Sequence, residues 1–593
     1  MKKQIEKVLW INLLIAFLFA ICIFVKELLF HWYIFQSLLF SSIWTDPSYF
    51  WSFYLPKICA ALLIASFVPF FKNKIWTIVF SIAIDIWLLA NIIYFRSNQL
   101  FLDVYALSTA GNMKGFWSSV WLFIDWKAIS FFIITILWCL ILYLFCRFQT
   151  KTRNVKMGIV GLLIAYMCSF AGLEMFRIRY ERDLNLSAGN LEHYFSSLDP
   201  NMRSRLLTKD TNRCVRQFSI LHLVGFNIVD AIEMSSNQVE MSNEDIVFLQ
   251  RFIKDDGVSK ANIASGPLII VVFESMENWI INDISMPNLS RFIATHPNHL
   301  WATSVRSQVK GGNSMDGQTL INTGILPISH GAACLLFPNN IYPSLSRCYD
   351  LRSKKTTIVP HDIHVWNQSY MSTAFGYDTT MQVEPNEEYL CEKGVDCINN
   401  GYSVVQLVTI ASHAPFSLGV ENSTLQIAKD MPKYMEEYMK ACYYTDNNLQ
   451  ILFDAYDNNP NFKNATLVIT GDHTIFYPEL RREFKHFCQE NNLSFDVESA
   501  YCPLLVFSPS ITSPTKIEQE CYQMDVYPTI LSAIGGEDYF WKGFGVSMLG
   551  EPTNALMGGG KMLHSRVITE DKAYDVSDKI IRSNYFGNKF KSR

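Results

Sequence analysis

Two neighbouring residues, Asp472 and His473, are the side chains in this sequence best suited to metal chemistry. They follow the apolar stretch LVIT, which predicts a buried strand that ends by delivering both side chains into a loop. A carboxylate beside an imidazole suits a hard or borderline divalent cation such as Zn²⁺ or Mn²⁺. The dipeptide alone is equally compatible with a solvated turn, so a second observation is needed.

A second apolar stretch, PLIIVVF at residues 267–273, ends in the same way, because Glu274 follows it directly. Two strand ends that carry acidic or imidazole side chains predict one shared site. The segment QVKGGNSMDGQ adds a candidate nucleophile, Ser314, placed where a helix could begin. A hydroxyl at a helix start beside a divalent cation can be held as an alkoxide, and the helix dipole and free N–H groups favour a phosphoryl group there. Without these neighbours, a glycine-flanked serine is more often a turn.

The elements that must position these residues alternate along the second half of the chain. The sequence predicts a helix at 243–254, then strands at 267–273, 355–359, 404–410, 466–470 and 504–507 and helices at 286–296, 434–456 and 525–534. Alternation of this kind predicts an α/β domain with a mostly parallel sheet. Ligands gather at the carboxyl ends of strands in such sheets, so Glu274, His413, Asp472 and His473, which each follow a predicted strand, should meet at one edge.

The first third of the chain is far more apolar than the rest. With 593 residues, 50% hydrophobic and only 18% charged, the composition is too apolar for an ordinary soluble enzyme. Five apolar runs have about the twenty residues that a membrane-spanning helix needs: 8–25, 50–71, 75–95, 128–146 and 157–176. Basic residues precede the first run and occupy the connections after the second and fourth runs, which places the N-terminus inside. A cleaved signal peptide is the alternative for the first run, but no cleavage site is evident.

These features predict three regions. They are a five-helix transmembrane domain at 1–177, a juxtamembrane amphipathic linker at 178–240, and an extracytoplasmic catalytic domain at 241–593. A plain linker is the alternative for the middle region. The net charge of −4 argues against a nucleic-acid partner.

Nine of the fourteen cysteines fall in the region predicted to lie outside the cytoplasm, where disulfides can form. Cys391 and Cys397 flank a short charged stretch, predicted to be a loop, and are candidates for a local bridge. Cys334 and Cys348 are candidates for a second one. Buried reduced thiols are the alternative, and the odd number leaves at least one thiol without an intrachain partner.

Eight short motifs occur in a recognisable order. They are FESMEN with Glu274, GGNSMDGQ with Ser314, YPSL at 342–345, PHDIHVWNQ with His361 and Trp366, FGYD at 375–378, SHAPF with His413, GDH at 471–473, and DVYPTIL at 525–531. In this order they resemble the membrane-anchored, alkaline-phosphatase-like transferases that include lipoteichoic acid synthases, phosphoglycerol transferases and phosphoethanolamine transferases. The motifs SHAPF, FGYD and DVYPTIL are more similar to the synthase branch.

The resemblance implies roles for seven residues. Glu274, Ser314, Asp472 and His473 would ligate one divalent metal ion, Mn²⁺ or Zn²⁺ with Mg²⁺ as a further candidate, and Ser314 would also be the nucleophile. The substrate-binding residues would be His361, His413 and Trp366, although either histidine could be an ordinary loop residue.

Two positions depart from the family pattern. Ser314 stands where the family usually has Thr, which keeps the hydroxyl. Gln368 lies near a position where the synthases carry Arg, which weakens the case for phosphatidylglycerol as donor.

The function implied is a phosphotransferase of the cell inner membrane, with its catalytic domain on the periplasmic or extracytoplasmic side. It would move a phosphoglycerol or similar head group from a membrane phospholipid to an envelope glycan, glycolipid or lipid A. Transfer of phosphoethanolamine is the first alternative, and a hydrolase of the sulfatase or phosphodiesterase type is the second. A sulfatase nucleophile needs Pro and Arg two and four residues later, where this chain has Asp316 and Gln318. A binding protein with an inactive site is the remaining alternative.

Overall fold

We describe the protein from a computed structural model. It describes residues 2–35, 54–71, 73–98, 100–102, 124–126, 128–146, 156, 158–164, 166–167, 215, 219–225, 227, 239–254, 266–427, 430–549 and 560–591. The chain divides into two compact units near residue 237, and each is described separately. Most of the predicted linker at 178–240 lies outside the described residues, and the three-region division stays a prediction.

The first unit contains long apolar helices. They are α1 Lys2–Phe35, α2 Leu55–Ala65, α3 Trp76–Asn98 and α4 Phe131–Cys146. Within the described residues, the stretches Trp10–Phe35 and Trp76–Ser97 are long and apolar enough to cross a membrane, whereas Leu55–Phe70 and Phe131–Leu144 are shorter. The first four predicted spans therefore coincide with helices. The fifth is only partly described, and the count of five spans stays a prediction.

A fully buried ion pair lies among these apolar helices. Nζ of Lys26 on α1 is 2.5 Å from a carboxylate oxygen of Asp85 on α3. The same ammonium donates to the hydroxyls of Ser81 at 2.7 Å and Thr135 at 2.6 Å. Thr135 in turn donates to the second carboxylate oxygen of Asp85 at 2.5 Å. Each donor of the Lys26 ammonium thus has an acceptor, and the cluster joins α1, α3 and α4.

The second unit is an α/β domain built on a mixed sheet. In chain order its elements are α5 Asn243–Gln250, β1 Leu268–Phe273, α6 Pro287–Thr295, β2 His299–Arg306, α7 Ser314–Thr323, α8 Ala333–Leu336, β3 Lys354–Val359, α9 Gln368–Ala374, β4 Thr379–Gln382, α10 Glu387–Asn399, β5 Tyr402–Val408, α11 Ser417–Asn422, α12 Lys433–Asn458, β6 Thr466–Gly471, α13 Pro478–Glu490, β7 Tyr501–Phe507, β8 Thr515–Ile517, β9 Cys521–Tyr522, α14 Val526–Ala533, α15 Gly560–Ser583 and α16 Tyr585–Lys591. The strand order is β4-β3-β5-β1-β6-β7-β2-β8, and β9 also pairs with β2.

The five strands from β4 to β6 are parallel to their neighbours, which confirms the prediction of a mostly parallel sheet. β7 runs antiparallel to both β6 and β2. The central strand β1, LIIVVF, is buried at all six positions. A continuous apolar run is typical of a parallel strand that is covered by helices on both faces. The predicted strands and helices agree with the observed ones to within a few residues. The elements that were not predicted are β2, β4, β8, β9, α8, α9, α10, α11, α13, α15 and α16.

The cysteine prediction was wrong. Residues 391–397, predicted as a loop, lie within helix α10, so the two cysteines are six positions apart along a helix. That spacing separates their Cα atoms by about 9 Å, beyond the roughly 7 Å that a disulfide can bridge. Cys334 and Cys348 are also free and buried. The alternative of buried reduced thiols therefore holds for all four.

Candidate active site

The register of two parallel strands brings the first two acidic residues together. Phe273 at the end of β1 pairs with Gly471 at the end of β6. The next residues along the chain, Glu274 and Asp472, therefore leave the same edge of the sheet side by side. This is the carboxyl edge, as the sequence predicts for a parallel sheet.

The four central residues predicted from the sequence lie in contact. Ligand atoms of Glu274, Asp472 and His473 lie within 4.8 Å of one another, and all three residues are buried. Nε2 of His473 is 3.6 Å from each carboxylate. Oγ of Ser314 is 3.2 Å from Oε2 of Glu274 and 3.2 Å from Nε2 of His473. The hydroxyl therefore faces the cluster formed by the three buried side chains.

Ser314 is the first residue of α7, and the loop before it is closed by a side chain from the same helix. One carboxylate oxygen of Asp316 accepts from the backbone N–H groups of Lys310 and Gly312, both at 2.9 Å. Asn313 has φ 46°, an uncommon backbone conformation for a residue with a side chain. A Cβ on Gly317 would overlap the backbone of Asp472. Glycine at this position therefore allows α7, which begins at Ser314, to lie close to the loop that carries Asp472 and His473.

One part of the phosphoryl-binding prediction was wrong. The N–H groups of Met315, Asp316 and Gly317 already donate to carbonyls of Gly312 and Asn313, at 3.0 to 3.4 Å. These amides of the first turn are therefore not available to an anion. The contribution that α7 can still make through them is the helix dipole.

The pKa values of the two carboxylates in the cluster shift in opposite directions. Burial, together with the charge on Glu274, raises the pKa of Asp472 to about 7. Burial opposes ionisation of Glu274 as well, but His413, His473 and hydrogen bonds from Ser275 and Ser314 bring its pKa below the usual value. Burial alone would lower the pKa of His473, but the charges of Asp472 and Glu274 raise it. Asp472 thus lacks sufficient positive charge around it, whereas Glu274 does not.

The residues fit a divalent cation. Among the described residues, Oδ2 of Asp472 is buried and has no hydrogen-bond partner, although Oδ1 accepts from the N–H groups of Ser275 (2.7 Å) and His473 (2.8 Å). A buried carboxylate oxygen without a donor is costly unless a cation or a proton compensates it. Two carboxylates, one imidazole and one hydroxyl form a donor set that suits Zn²⁺ or Mn²⁺.

Several residues that support the ligands were not singled out from the sequence. Oγ of Ser275 donates to Oε1 of Glu274 at 2.7 Å. The hydroxyl of Tyr438 donates to the carbonyl of Ser275 at 2.8 Å and accepts from N–H of Glu277 at 3.0 Å. The amide of Gln523 donates to the carbonyl of Asp472 at 2.6 Å. Of these four residues, Ser275 and Glu277 lie within the FESMEN motif, which was the available signal for them.

A buried ion pair ties the two ligand loops together. Glu277, which follows β1, forms two hydrogen bonds with the guanidinium of Arg481 on α13, at 2.5 and 3.0 Å. The same carboxylate accepts from N–H of Ile475 at 3.0 Å, just after the Asp472 and His473 pair. Because bidentate pairs of this kind are geometrically specific, Glu277 and Arg481 restrict how the two loops can move relative to each other.

The two further histidines predicted to bind substrate lie near the cluster. The loop that carries His413 is held to the end of β1, because Thr409 accepts from N–H of Glu274 at 2.9 Å and Ser412 donates to its carbonyl at 2.5 Å. His413 lowers the pKa of Glu274 through its charge. Burial lowers the pKa of His361, while the charge of Glu274 opposes that change and His413 adds to it. Both histidines therefore act electrostatically on the cluster, and their role toward substrate stays a prediction.

Trp366 occupies a turn rather than a regular helix. It packs against the hydrophobic core and has φ 53°, as does Asn367. Among the described residues, no hydrogen bond or ring contact joins Trp366 to the four central residues, so its place in a substrate pocket stays a prediction. Gln368, which lies near the position of an Arg in the synthases, is buried and points into a network of amides. It therefore does not replace the Arg as a surface group.

Two protein families match parts of the chain. Residues 1–242 match the family described as "Lipoteichoic acid synthase N-terminal domain", and residues 355–536 match the family described as "Sulfatase". The second match includes His361, His413, Asp472 and His473. It does not include Ser314, whose assignment depends on the motif and on the geometry above.

The relatives are distant. A lipoteichoic acid synthase of Staphylococcus saprophyticus is 22% identical over 450 residues, which are 70% of this chain and 66% of that protein. One from Staphylococcus aureus is 22% identical over 455 residues, with the same coverage. This chain therefore spans slightly less than two thirds of the length of these relatives.

Solved structures also align with part of the chain. The lipoteichoic acid synthase LtaP from Listeria monocytogenes is 17% identical, covers 59% of this chain and 98% of that chain, and has a TM-score of 0.45. The phosphoglycerol transferase GacH from Streptococcus pyogenes, in complex with sn-glycerol-1-phosphate, is 15% identical, covers 57% of this chain and 95% of that chain, and has a TM-score of 0.41. The chain thus resembles lipoteichoic acid synthases in two respects: its N-terminal part matches the N-terminal domain model of that family, and its C-terminal part matches the sulfatase model.

Proposed function

We propose that this protein is a metal-dependent transferase that moves a phosphoglycerol head group from a membrane phospholipid to a cell-envelope acceptor. The observation that carries the proposal is the position of Ser314. Its hydroxyl lies at the start of a helix, 3.2 Å from both Glu274 and His473, beside a carboxylate oxygen of Asp472 that has no donor in the described residues. A hydroxyl in this environment is suited to attack phosphorus.

The reaction proceeds in two displacements. In the first, Oγ of Ser314 loses its proton and bonds to the phosphorus of the lipid phosphodiester. The bond from phosphorus to the diacylglycerol oxygen breaks, and that oxygen takes up a proton; His413 and His361 are our candidates to supply this proton or to contact the phosphate. In the second, a hydroxyl of the acceptor gives up its proton and bonds to the phosphorus of the glycerophosphate on Ser314. The bond from phosphorus to Oγ of Ser314 breaks, and Oγ takes up a proton. The acceptor is an envelope glycan, a glycolipid or lipid A.

The side chains of Glu274, Ser314, Asp472 and His473 would hold one divalent ion, which we assign as Mn²⁺ or Zn²⁺, with Mg²⁺ as a further candidate. When bound, such an ion neutralises charge on the attacking and phosphoryl oxygens. The protein's own part is to hold the Ser314 oxygen and the carboxylates in place and to keep them buried. The N-terminal helices would keep the catalytic domain beside a donor that is confined to the bilayer, at the extracytoplasmic face of the cell membrane.

The test is a direct assay of both half-reactions. The full-length protein, solubilised in detergent, is incubated with phosphatidylglycerol or with phosphatidylethanolamine, in the presence of Mn²⁺ or Zn²⁺. Diacylglycerol is measured, and the peptide that contains Ser314 is weighed by mass spectrometry. We expect diacylglycerol and a glycerophosphate adduct with phosphatidylglycerol, and neither product with Ser314→Ala. Ser508→Ala, which removes another buried hydroxyl at the far end of β7, should behave like the wild type.

The other outcomes are equally informative. An adduct formed only with phosphatidylethanolamine would make the protein a phosphoethanolamine transferase. Diacylglycerol without transfer to any added acceptor alcohol, and without an adduct, would indicate a hydrolase that uses water. No product with either lipid, from protein that binds the metal, would overturn the assignment of a phospholipid donor.

A further inference from the structure

A network of uncharged polar side chains lies buried behind the nucleophile helix. Gln318 on α7 and Gln368 on α9 exchange two amide hydrogen bonds, at 3.0 and 2.9 Å. Gln406 on the central strand β5 donates to the same oxygen of Gln318 at 3.0 Å. Asn322 donates to the side-chain oxygen of Gln406 at 2.7 Å, and the hydroxyl of Tyr377 donates to the side-chain oxygen of Asn322 at 2.9 Å. All five residues are buried.

The two ends of this network lie next to functional positions. Gln318 is four residues after Ser314 and thus lies on the same face of α7, one turn further along the helix. Gln368 follows directly after Trp366 and Asn367. The pair of amides therefore joins the helix that carries the nucleophile to the turn that carries Trp366.

That turn has a conformation that needs external support. Trp366 and Asn367 both have φ 53°, and neither is glycine. Consecutive left-handed residues of this kind are unfavourable and persist only where the surrounding structure holds them. Two contacts hold this turn at its C-terminal side: the amide of Asn367 donates to the carbonyl of Cys334 at 2.9 Å, and Gln368 is fixed by Gln318.

We propose that Gln318 is a positioning residue that fixes the Trp366 turn, defined as residues 361–369, relative to the nucleophile Ser314. The amide group of Gln318 is well suited to this role. Its oxygen accepts two hydrogen bonds and its nitrogen donates one, so it is held from α9 and β5 together. Because the network contains no charge, it neither titrates nor competes for the metal ion. The catalytic consequence depends on the function proposed above, whereas the structural link between Gln318 and the turn does not.

The test uses three variants of the full-length protein. Gln368→Met removes one amide of the pair and leaves Gln318 partly unsatisfied. The double variant Gln318→Met with Gln368→Met replaces both amides of the pair by apolar side chains of similar length, so neither faces an unpaired partner, although the amide nitrogen of Gln406 loses its acceptor. Tyr377→Phe is the matched control, because it removes a hydroxyl from the far side of the network and leaves the amide pair intact.

Hydrogen exchange of the backbone is the primary measurement. The N–H groups of Val365, Asn367 and Ser369 are hydrogen-bonded within the turn, so their exchange reports on its order. We expect exchange in residues 361–369 to be at least about tenfold faster in both Met variants, and unchanged in Tyr377→Phe. In the double variant the Tm should recover in part, because the amide nitrogen of Gln406 stays without its acceptor, while fast exchange in the turn persists. If Gln318 only stabilised the fold, the Tm and the slow exchange would return together in the double variant.

Turnover is the second measurement. With phosphatidylglycerol, kcat of the double variant should fall by about 10²-fold, because Trp366 would no longer be held in its position beside the substrate. The midpoint for Mn²⁺ binding should stay unchanged. Slow exchange in the turn of the double variant would overturn the inference whatever the activity. If the wild-type protein proves inactive toward the lipid, the proposed function fails, and the exchange experiment still decides whether Gln318 holds the turn.

Discussion

Two regions of the molecule bury charged side chains, and they do so in opposite ways. In the N-terminal unit, the ammonium of Lys26 lies 2.5 Å from the carboxylate of Asp85, and the hydroxyls of Ser81 and Thr135 form hydrogen bonds with this pair. In the second unit, Glu274 and Asp472 lie beside one another, and one oxygen of Asp472 has no donor among the described residues. The first cluster is electrically balanced by the protein itself, whereas the second has more acid than base.

The difference separates a structural cluster from a functional one. A balanced pair in an apolar surrounding holds helices together and has no remaining capacity for a ligand. Two buried carboxylates without a matching cation are unfavourable in isolation and become favourable when a divalent ion binds. Burial alone therefore does not identify the site; at the site an uncompensated carboxylate lies beside a second carboxylate, an imidazole and a hydroxyl.

The largest effect that we expect comes from breaking the unbalanced cluster. Asp472→Asn keeps the acceptor for the N–H groups of Ser275 and His473 but removes the negative charge. We predict that the variant loses Mn²⁺ binding and that activity falls by at least about a thousandfold. The metal-free variant should be no less stable than the wild type, because the burial of an uncompensated charge is relieved. Thermal unfolding with and without Mn²⁺ measures both effects.

Asp446→Asn is the matched control for this change. Asp446 is also buried and also accepts from two backbone N–H groups, of Asn288 and Leu289, both at 2.8 Å, but it caps α6 instead of facing the cluster. The control should retain the gain in Tm that Mn²⁺ provides. An Asp472→Asn protein that still gains stability from Mn²⁺ would show that the ion binds elsewhere.

The next effect comes from breaking the balanced cluster. Lys26→Met leaves the Asp85 carboxylate buried without its cation, which we expect to cost about 3–5 kcal/mol of unfolding free energy. Lys26→Met combined with Asp85→Leu removes both charges and should be close to neutral. The comparison is measured by thermal unfolding of the full-length protein in detergent. Equal losses in the single and double variants would mean that packing, and not charge, holds these helices.

A third buried carboxylate sharpens the comparison, since it also has an oxygen without a donor in the described residues. Oε1 of Glu387 accepts from the N–H groups of Ile410 and Ala411, at 2.8 and 2.7 Å, while Oε2 is unsatisfied. Burial, with a contribution from Glu274, raises the pKa of Glu387 to about 7. Glu387 does not belong to the group of side chains that could hold a metal ion, and a proton can compensate it below neutral pH.

Because the pKa of Glu387 is raised in the folded protein, this group lowers the unfolding free energy as the pH rises. A folded pKa above the unfolded value means that the group's contribution is complete below pH 4.5 and is lost as the pH rises through 7. Glu387→Gln should therefore match the wild type near pH 4.5 and exceed it by at most about 3 kcal/mol at pH 8. Urea unfolding of both proteins in EDTA measures this difference in unfolding free energy. The other buried acids are the same in both proteins, so their contributions cancel. A constant difference across this pH range would exclude titration of Glu387 as its cause.

The sequence was sufficient for the fold and the central residues because both depend on local patterns. Apolar runs such as LIIVVF define buried strands, and the residues that follow them, Glu274 and Asp472, lie at the carboxyl edge of any parallel sheet. The strand β2, HLWATSVR, was missed because its polar and apolar residues do not alternate cleanly. Helix α10 was missed because Gly394 and the paired cysteines suggested a loop.

The supporting contacts could not be predicted, because they join residues that are far apart in the chain. Ser275 and Tyr438, for example, are 163 positions apart and meet at a hydrogen bond. The pairing of Gln318 with Gln368 depends on the packing of α7 against α9, which no short pattern encodes. The amides of Met315 and Asp316 were expected to be free because the tight turn before Ser314 could not be foreseen.

The smallest effect that we expect concerns one of these supporting contacts. Ser275→Ala removes the hydroxyl that donates to Oε1 of Glu274 at 2.7 Å and leaves every predicted ligand in place. Hydrogen bonds that orient a metal ligand contribute about 10-fold to 100-fold in metal affinity, and we expect the lower figure because Glu274 is also held by its own backbone contacts to Thr409 and Ser412. Titration of the metal-free protein with Mn²⁺ measures the change, with Ser508→Ala as the control. Unchanged affinity would mean that the strand end alone orients Glu274, and the unbalanced cluster would then depend on the sheet and not on its hydrogen-bonded surroundings.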